Sequence, residues 1–421
     1  MGVAIGRFAL AGGDGAPAPQ RRTGSATAEF AVTELQARLA TSPDDPVLLT
    51  RLGQAYLVRV RETADPSYFI RAAQALERSQ ALAPDQPATL TGLGLLALGR
   101  HEFSAALELG RRAHQLDPAA PEPLGVVVDA HVELGHYDDA AVALQEMLDR
   151  RPSLASLSRA SYLREIHGDV PGAVTAMTQA AIAGAGASVD DVAYVETLLG
   201  DLHLGTGKLV EAEGAYRRAL ERTDVPAAEV GLARVAAARG DLAAAATGLD
   251  AVTTRLPQPA WVALLGDVNA AMGRHAQAGA AYDLVRQIEA LNTAAGVAVD
   301  LELARFEADH AKDDGTDPDA AVTMARSARA ARPTIFADDT LGWALRQAGR
   351  PEEALPHSQA AVRLGTADAL LWYHLAAVES DLGRLEEART HLARALSINP
   401  HLTVRDLPHA RDLAARLGLP V

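Results

Sequence analysis

Apolar and small side chains between Ala369 and Pro400 follow two helical periods that are separated by a break at Gly383. Trp372, Leu375, Ala376 and Glu379 follow one helical period before the break, and Ala388, Leu392 and Ala395 form an apolar stripe after it. Steps of three and four place side chains on one face of a helix. A proline stops a helix, because the residue before it avoids helical angles. The stretch therefore predicts two short antiparallel helices that pack closely through small residues.

The same pattern recurs along most of the chain. Pro84, Pro118 and Pro152 close three consecutive copies at intervals of 34 residues. We count about ten copies between positions 46 and 400, the first lengthened within Leu57–Phe69 and the eighth degenerate after Arg286. One such unit buries too little apolar surface to fold alone, so neighbouring units stack into one continuous structure.

The pattern resembles the tetratricopeptide repeat, a helix–turn–helix unit of roughly 34 residues. The resemblance implies an all-α, right-handed superhelical solenoid of about ten repeats with capping helices at both ends. We expect a flexible segment over residues 1–24, an N-terminal capping helix over 25–45, the solenoid over 46–400 and a C-terminal capping helix over 401–421. In this family the first helix of each repeat lines the concave face.

The N-terminal segment leaves the compartment open. Residues 1–10 are apolar but too short to span a bilayer, and no charged region precedes them as in a signal peptide. They are either a disordered tail or the stump of an export or anchor helix that begins upstream of Met1. We favour an exported or membrane-anchored protein of the cell envelope, with a cytoplasmic protein as the alternative.

Composition excludes several classes of function. The formal charge of −15 argues against a nucleic-acid partner, because phosphate binding needs a basic stripe. The chain has 421 residues and no cysteine, which excludes disulfides, thiolate nucleophiles and cysteine-ligated metals. No G-x-S-x-G, Walker A or Rossmann motif is present, and repeats occupy nearly everything from Ser25 onward. We therefore expect no enzyme activity and no cofactor.

The family's inward-pointing positions give a set of candidate partner-binding residues on the concave face. They are Arg51, Gln54, Asp129, Glu133, Arg159, Tyr162, Asp201, Arg234, Asp267, His310, Trp343, Arg346, Tyr373 and His374. Three aspartates in this set occupy the same position of alternate repeats, so they form either an acidic ladder for a basic peptide or ordinary solvated groove residues. The set lacks the asparagines and basic trio with which some relatives hold a C-terminal carboxylate.

Metal-binding motifs are also missing. No HExxH or HxH motif occurs, and His101, His136, His167 and His275 fall at turns, where polar residues are expected. The acidic stretch over residues 307–319 lacks the order of an EF-hand. We interpret it as a solvated loop between helices and expect no metal site.

Three stretches are also similar to a bacterial family of exported or membrane-anchored tetratricopeptide proteins found beside predicted nickel or cobalt transporters. They are Tyr162–Val174, Gly296–His310 and Arg332–Arg350. The sequence thus predicts a non-enzymatic scaffold that binds a peptide or protein in its groove, in the assembly of a cell-envelope or membrane complex. The alternative is an accessory subunit of a transporter or enzyme that senses a metal ion or small ligand.

Overall fold

The computed structural model describes residues 24–150, 152–184, 188–298, 300–314 and 317–420, and within them it shows helices and no strand. Residues 1–23, most of the predicted flexible segment, lie outside the described residues. The helices are α1 Gly24–Thr41, α2 Pro46–Thr63, α3 Ser67–Leu82, α4 Pro87–Gly99, α5 Phe103–Leu116, α6 Glu122–Glu133, α7 Tyr137–Arg150, α8 Leu154–Ile166, α9 Val170–Ala183, α10 Val189–Gly205, α11 Leu209–Arg222, α12 Pro226–Ala238, α13 Leu242–Arg255, α14 Pro259–Ala271, α15 His275–Ala294, α16 Asp300–Asp314, α17 Pro318–Ala331, α18 Ile335–Gln347, α19 Pro351–Ala361, α20 Ala369–Asp381, α21 Leu385–Ile398 and α22 Asp406–Arg416.

Between α1 and α22 the helices form ten consecutive antiparallel pairs, from α2 with α3 to α20 with α21. The all-α solenoid of about ten repeats is thereby confirmed. Short polar signals begin the helices: the Asp45 carboxylate accepts hydrogen bonds from two amides of α2, and Ser153 forms a capping box on α8. The predicted break at Gly383 is a turn with φ of 72°, a conformation that glycine adopts without strain.

Two departures from a regular repeat occur where the sequence predicts them. Helix α2 has 18 residues where most first helices have 13, which accommodates the extra residues of the first repeat. Helix α15 extends to 20 residues, and α16 with α17 forms the irregular eighth pair. At the ends, Leu35 of α1 joins the core of the first pair, and Leu413 of α22 joins the core of the last. Their role as solubilising caps stays a prediction.

The solenoid closes on itself after one superhelical turn. Each closing contact joins two helix pairs that are five pairs apart along the chain. The turn between the two helices of the earlier pair meets the loop that follows the later pair. The Asn399 side-chain amide donates to the Leu204 carbonyl oxygen at 2.9 Å, and the Tyr137 hydroxyl accepts from the Ile335 amide at 3.0 Å. The Ala298 amide donates to the Arg100 carbonyl oxygen at 3.1 Å. Residues 195–199 apart in sequence are thus brought together at regular intervals.

The backbones of the two facing superhelical turns approach very closely at two glycines. Gly135 has φ of 71° and Gly168 has φ of 78°, both in the left-handed region. A Cβ at Gly135 would overlap the Pro333 carbonyl oxygen, and a Cβ at Gly168 would overlap the Gly365 carbonyl oxygen. Glycine is needed at both positions for its positive φ and for the close approach of the opposite backbone.

A buried ionic network lies beside these glycines. Arg332, whose side chain is 8% exposed, donates to the Glu133 carboxylate of the facing turn and to Glu302 Oε1 at 3.0 Å. Its guanidinium also covers the Phe103 ring at 4.9 Å. Because one arginine neutralises carboxylates from two distant parts of the chain, it ties the two superhelical turns together.

Candidate functional site

A central cavity of about 1610 Å³ runs along the inside of the superhelix. Its lining extends from Ala28 in α1 to Asp406 in α22, so almost the whole chain contributes to one space. The walls are formed mainly by the first helices of the pairs and by the loops between pairs, and α15 adds residues of a second helix. Pockets for single small ligands measure roughly 300–1,000 Å³, so this cavity is larger than such a ligand needs.

The lining of the central cavity is predominantly acidic. Among the residues that the structure describes, the lining contains fourteen aspartate and glutamate residues against six arginines, and no lysine. Field lines concentrate in a concave site with apolar walls, so an imbalance of this size attracts positively charged ligands.

The structure places seven of the fourteen candidate residues in this lining. They are Gln54, Glu133, Tyr162, Asp201, Arg234, Asp267 and His310. The other seven, which lie outside the lining, are Arg51, Asp129, Arg159, Trp343, Arg346, Tyr373 and His374. Partner binding by either group stays a prediction.

The three aspartates of the predicted ladder are each paired with a side chain of the following repeat. Asp129 forms a bidentate pair with Arg159, at 2.8 and 2.6 Å, in which both side chains are nine-tenths or more buried. Asp201 accepts from Arg234 at 2.9 Å. The Asp267 carboxylate lies 2.9 Å from His310 Nε2 and, although burial acts against it, holds the pKa of that imidazole above its usual value. The ladder therefore joins neighbouring repeats, and Asp129 and Arg159 face each other rather than the cavity.

The aromatic candidates form a buried stack. The His374 ring lies on the Trp343 indole with centroids 3.9 Å apart, and Tyr373 packs beside them. The Trp343 indole N–H donates to Asp309 Oδ1 at 2.7 Å, and His374 Nδ1 lies 2.8 Å from Asp339 Oδ1. These side chains support the cavity wall from behind, through the carboxylates that they position.

Those carboxylates belong to an acidic cluster in the cavity lining, composed of Asp309, Asp339, Asp368 and Asp406. Arg305 donates to Asp309 at 3.0 Å and to Asp339 at 2.9 Å. Burial raises the pKa of Asp368, and burial together with the nearby Asp309 carboxylate raises that of Asp406. Both pKa values are raised because burial disfavours the charged form of a carboxyl, and a nearby cation favours it. The cluster can therefore accept a further cationic group.

The expected solvated loop over residues 307–319 is wrong for its first half. Helix α16 continues to Asp314, and Glu307 forms a bidentate ion pair with Arg286 at 2.8 and 3.0 Å. Asp309 and His310 are held in the contacts described above. The helical period of this stretch places Glu307 against Arg286 of α15 and Asp309 against Arg305 of its own helix, and the run of charges concealed that period.

Sequence reasoning missed the lining residues outside the first helices of the repeats. Arg255 ends α13, the second helix of its pair, Arg405 precedes α22, Asp406 begins it, and Glu289 lies in the lengthened α15. The repeat pattern assigns no inward position to such residues. The only available signal is the alternation of acidic and basic residues after Leu402, within the segment predicted to form the C-terminal capping helix.

Glu289 makes the stability of the cavity wall depend on pH. The residue is 5% exposed, and burial raises its pKa to about 7, with Glu302 adding to the shift and a hydrogen bond from Asn292 opposing it. A carboxyl with a raised folded-state pKa stabilises the fold while it is protonated. That contribution is lost as the pH rises from the unfolded-state value through about 7.

We therefore expect Glu289→Gln to raise the free energy of unfolding by about 1–3 kcal/mol at pH 8. At pH 5 the gain should be much smaller, because the wild-type carboxyl is then protonated in the folded state. Urea unfolding at both pH values measures the difference, with Glu221→Gln on the exposed face of α11 as the control. An equal gain at both pH values would show that the carboxyl does not titrate as described.

The fold is that of a helical-repeat solenoid, and comparison with known families identifies the repeat. Residues 128–188, 197–258 and 340–402 match the model of the tetratricopeptide repeat. The chain therefore contains tetratricopeptide repeats, a fold that typically serves as a scaffold for protein–protein interaction and is generally non-catalytic. None of the helices among the described residues is long and apolar enough to cross a membrane.

Several solved structures are similar to the chain. One is a chain of the Cut9–Hcn1 hetero-tetramer of the APC/C, at 14% identity over 93% of both chains with a TM-score of 0.41. Yeast Tom70 matches at 14% identity over 87% of this chain and 95% of that one, with a TM-score of 0.39. A tetratricopeptide repeat protein from Parabacteroides merdae matches at 15% identity over 55% of this chain and 87% of its own, with a TM-score of 0.41. No curated protein matches the sequence.

Proposed function

We propose that the protein is a non-enzymatic scaffold that binds an extended, basic segment of a partner protein in its central cavity. The observation that carries this proposal is the acidic excess of the lining, fourteen acids against six arginines in the described part of the chain, over a continuous space of about 1610 Å³.

The closing contacts favour an extended ligand. They hold the two superhelical turns together at Leu204 with Asn399 and at Tyr137 with Ile335, so that a ligand enters from an end of the superhelix or after the turns separate. A folded domain does not fit a space of this volume, whereas a single extended strand of polypeptide does. Ordering such a segment costs conformational entropy, which the attraction of opposite charges offsets.

The acidic cluster in the cavity lining is the best candidate for binding one particular basic side chain. A guanidinium or ammonium group beside Asp368 and Asp406 would favour their charged form, which burial disfavours, and would lower the raised pKa of each carboxyl. Arg305 already pairs with Asp309 and Asp339 on the other side of the cluster. The added cation therefore belongs beside Asp368 and Asp406.

Assembly of a cell-envelope or membrane complex is the setting that the resemblance to exported proteins favours, and it remains a prediction. Affinity capture from separated soluble and membrane fractions distinguishes this setting from a cytoplasmic one. The candidate partner is then recognised by a basic segment whose deletion abolishes capture.

A fluorescence-anisotropy titration tests the binding mode directly. We expect a labelled peptide rich in arginine and serine to bind the wild-type chain, and an acidic peptide of equal length not to bind. Asp190→Asn combined with Asp224→Asn, two acids of the lining, should weaken binding about tenfold. Affinity should also fall as salt is added, because salt screens exposed charges.

The matched control removes two acids from outer helices, Glu108→Gln in α5 and Asp250→Asn in α13, both exposed and outside the lining. This control should bind like the wild type. If it weakens binding as much as the cavity variant, the peptide associates with the overall negative charge and the cavity is not its site. Equal binding of the acidic and basic peptides would also contradict the proposal.

A further inference from the structure

Two imidazoles and a carboxylate converge at the turn between α6 and α7. One ligand atom from each of His131, His136 and Asp139 lies within 4.8 Å of the others. The two imidazole rings are tilted, with centroids 5.6 Å apart. Among the described residues no other group of three histidine, aspartate or glutamate side chains meets this criterion. Imidazole and carboxylate together favour first-row transition ions over Mg²⁺ and Ca²⁺, which prefer oxygen ligands.

An unpaired nitrogen within this group gives an independent indication. His131 is 3% exposed, and its Nδ1 atom is buried without a hydrogen-bond partner among the described residues. The nearest oxygen of Asp139 lies 3.9 Å away, beyond hydrogen-bond distance. Leaving a buried polar atom unpaired is costly, so each instance requires a physical explanation. A metal ion between His131, His136 and Asp139 would provide it.

The corresponding turn between α10 and α11 offers an internal comparison. His203, Lys208 and Glu211 occupy there the positions of His131, His136 and Asp139, counted from the turn glycines Gly135 and Gly207. A lysine ammonium repels a metal ion and cannot bind it while protonated. That turn therefore has the same fold and a half-buried histidine, whose Nδ1 atom also has no hydrogen-bond partner among the described residues, without a complete ligand set.

Arg111 controls access to the site. Its guanidinium donates to His131 Nε2 at 3.2 Å, which leaves the ring proton on Nδ1. Binding a metal through Nδ1 requires the other tautomer, with the proton on Nε2, so Arg111 must turn away. Arg111 is exposed, and its side chain has room to move into solvent. Arg111 and the metal ion thus require different tautomers of His131, so they compete for its imidazole.

We propose that His131, His136 and Asp139 bind a divalent first-row transition ion, with water completing the coordination. The ion would brace the α6–α7 turn, whose Gly135 and Tyr137 contact residues 333–335 of the facing superhelical turn. The site would therefore couple metal binding to the closure of the superhelix. It does not depend on partner binding in the central cavity.

Calorimetric titration of the full chain with Zn²⁺ tests the site. We expect one binding event per chain, weakened about tenfold or more by His136→Gln or Asp139→Asn, because each removes one ligand. Both residues are exposed, so these variants should fold normally. Arg111→Gln should strengthen binding, since it removes the competitor for the Nε2 atom. Zn²⁺ should also raise the melting temperature of the wild type but not of His136→Gln.

His203→Gln and Glu211→Gln in the comparison turn serve as matched controls and should leave Zn²⁺ binding unchanged. The absence of a stoichiometric event in the wild type would overturn the proposal. So would undiminished binding in both ligand variants, which would assign the ion to another group of histidines. Unchanged or weaker binding in Arg111→Gln would contradict the proposed coordination through Nδ1.

Discussion

Replacing Arg332 by methionine is expected to lower the free energy of unfolding by about 3–5 kcal/mol, because it leaves buried carboxylates without their cation. Arg332 is the shared partner of Glu133 and Glu302, which belong to facing turns of the superhelix. Its loss should also separate those turns, and small-angle X-ray scattering should then show a larger radius of gyration. Urea unfolding at neutral pH measures the first effect.

Arg326→Met is the matched control, because it makes the same substitution in the neighbouring helix α17. Arg326 forms an ion pair with Glu353 at 3.1 Å, in which both side chains are about half exposed. Exposed pairs contribute roughly 0–1 kcal/mol, so this variant should unfold nearly like the wild type. Equal effects of the two substitutions would show that Arg332 makes no special contribution to closure.

The second large effect is expected for Asp129→Ala, with a loss of about 3–5 kcal/mol. The substitution leaves the Arg159 guanidinium buried without the carboxylate that it contacts through two hydrogen bonds. Replacing both residues, by Asp129→Leu together with Arg159→Met, should recover most of the lost stability, because two apolar side chains need no charge compensation. Denaturant unfolding of the single and double variants measures both values.

Asp201→Ala is the comparison for this pair. Asp201 occupies the equivalent position, but its ion pair with Arg234 is partly exposed at the cavity wall. We expect a loss of about 1 kcal/mol, as for pairs near water. If Asp129→Ala were no more destabilising than Asp201→Ala, the burial of the Asp129 pair would not have the assigned consequence. The contrast also matters for the choice of variants in binding experiments. An Asp129 variant lowers the stability of the fold, whereas Asp129 itself lies outside the cavity lining.

Local pattern was sufficient to predict the helix pairs. The stripe of Leu392 and Ala395, the turn at Gly383 and the stop at Pro400 each reflect interactions within one repeat or with its neighbour. The lengthened first repeat was predictable for the same reason, since extra residues shift the phase of the pattern. The inward positions of Gln54, Asp201 and Asp267 followed from the family's register.

Contacts between distant repeats could not be predicted in this way. Asn399 and Leu204 are 195 residues apart, and no periodicity records which loops meet after one superhelical turn. Pairing across repeats was missed for a related reason: the residue type of Asp129 is visible in the sequence, whereas the burial of Arg159 beside it is not. The group of His131, His136 and Asp139 escaped because its members are spread across a turn, at spacings that no single helix brings together.

Dipolar electron spin resonance tests closure of the superhelix most directly. The chain has no cysteine, so spin labels attach only to cysteines introduced by Lys208→Cys and His401→Cys. These positions adjoin Gly207 and Pro400, and a Cβ on Gly207 would lie 3.1 Å from the Pro400 ring. We predict one narrow distribution of short distances. A broad distribution at long distances would show that the turns do not meet in solution, and it would contradict the closed cavity on which the proposed function rests.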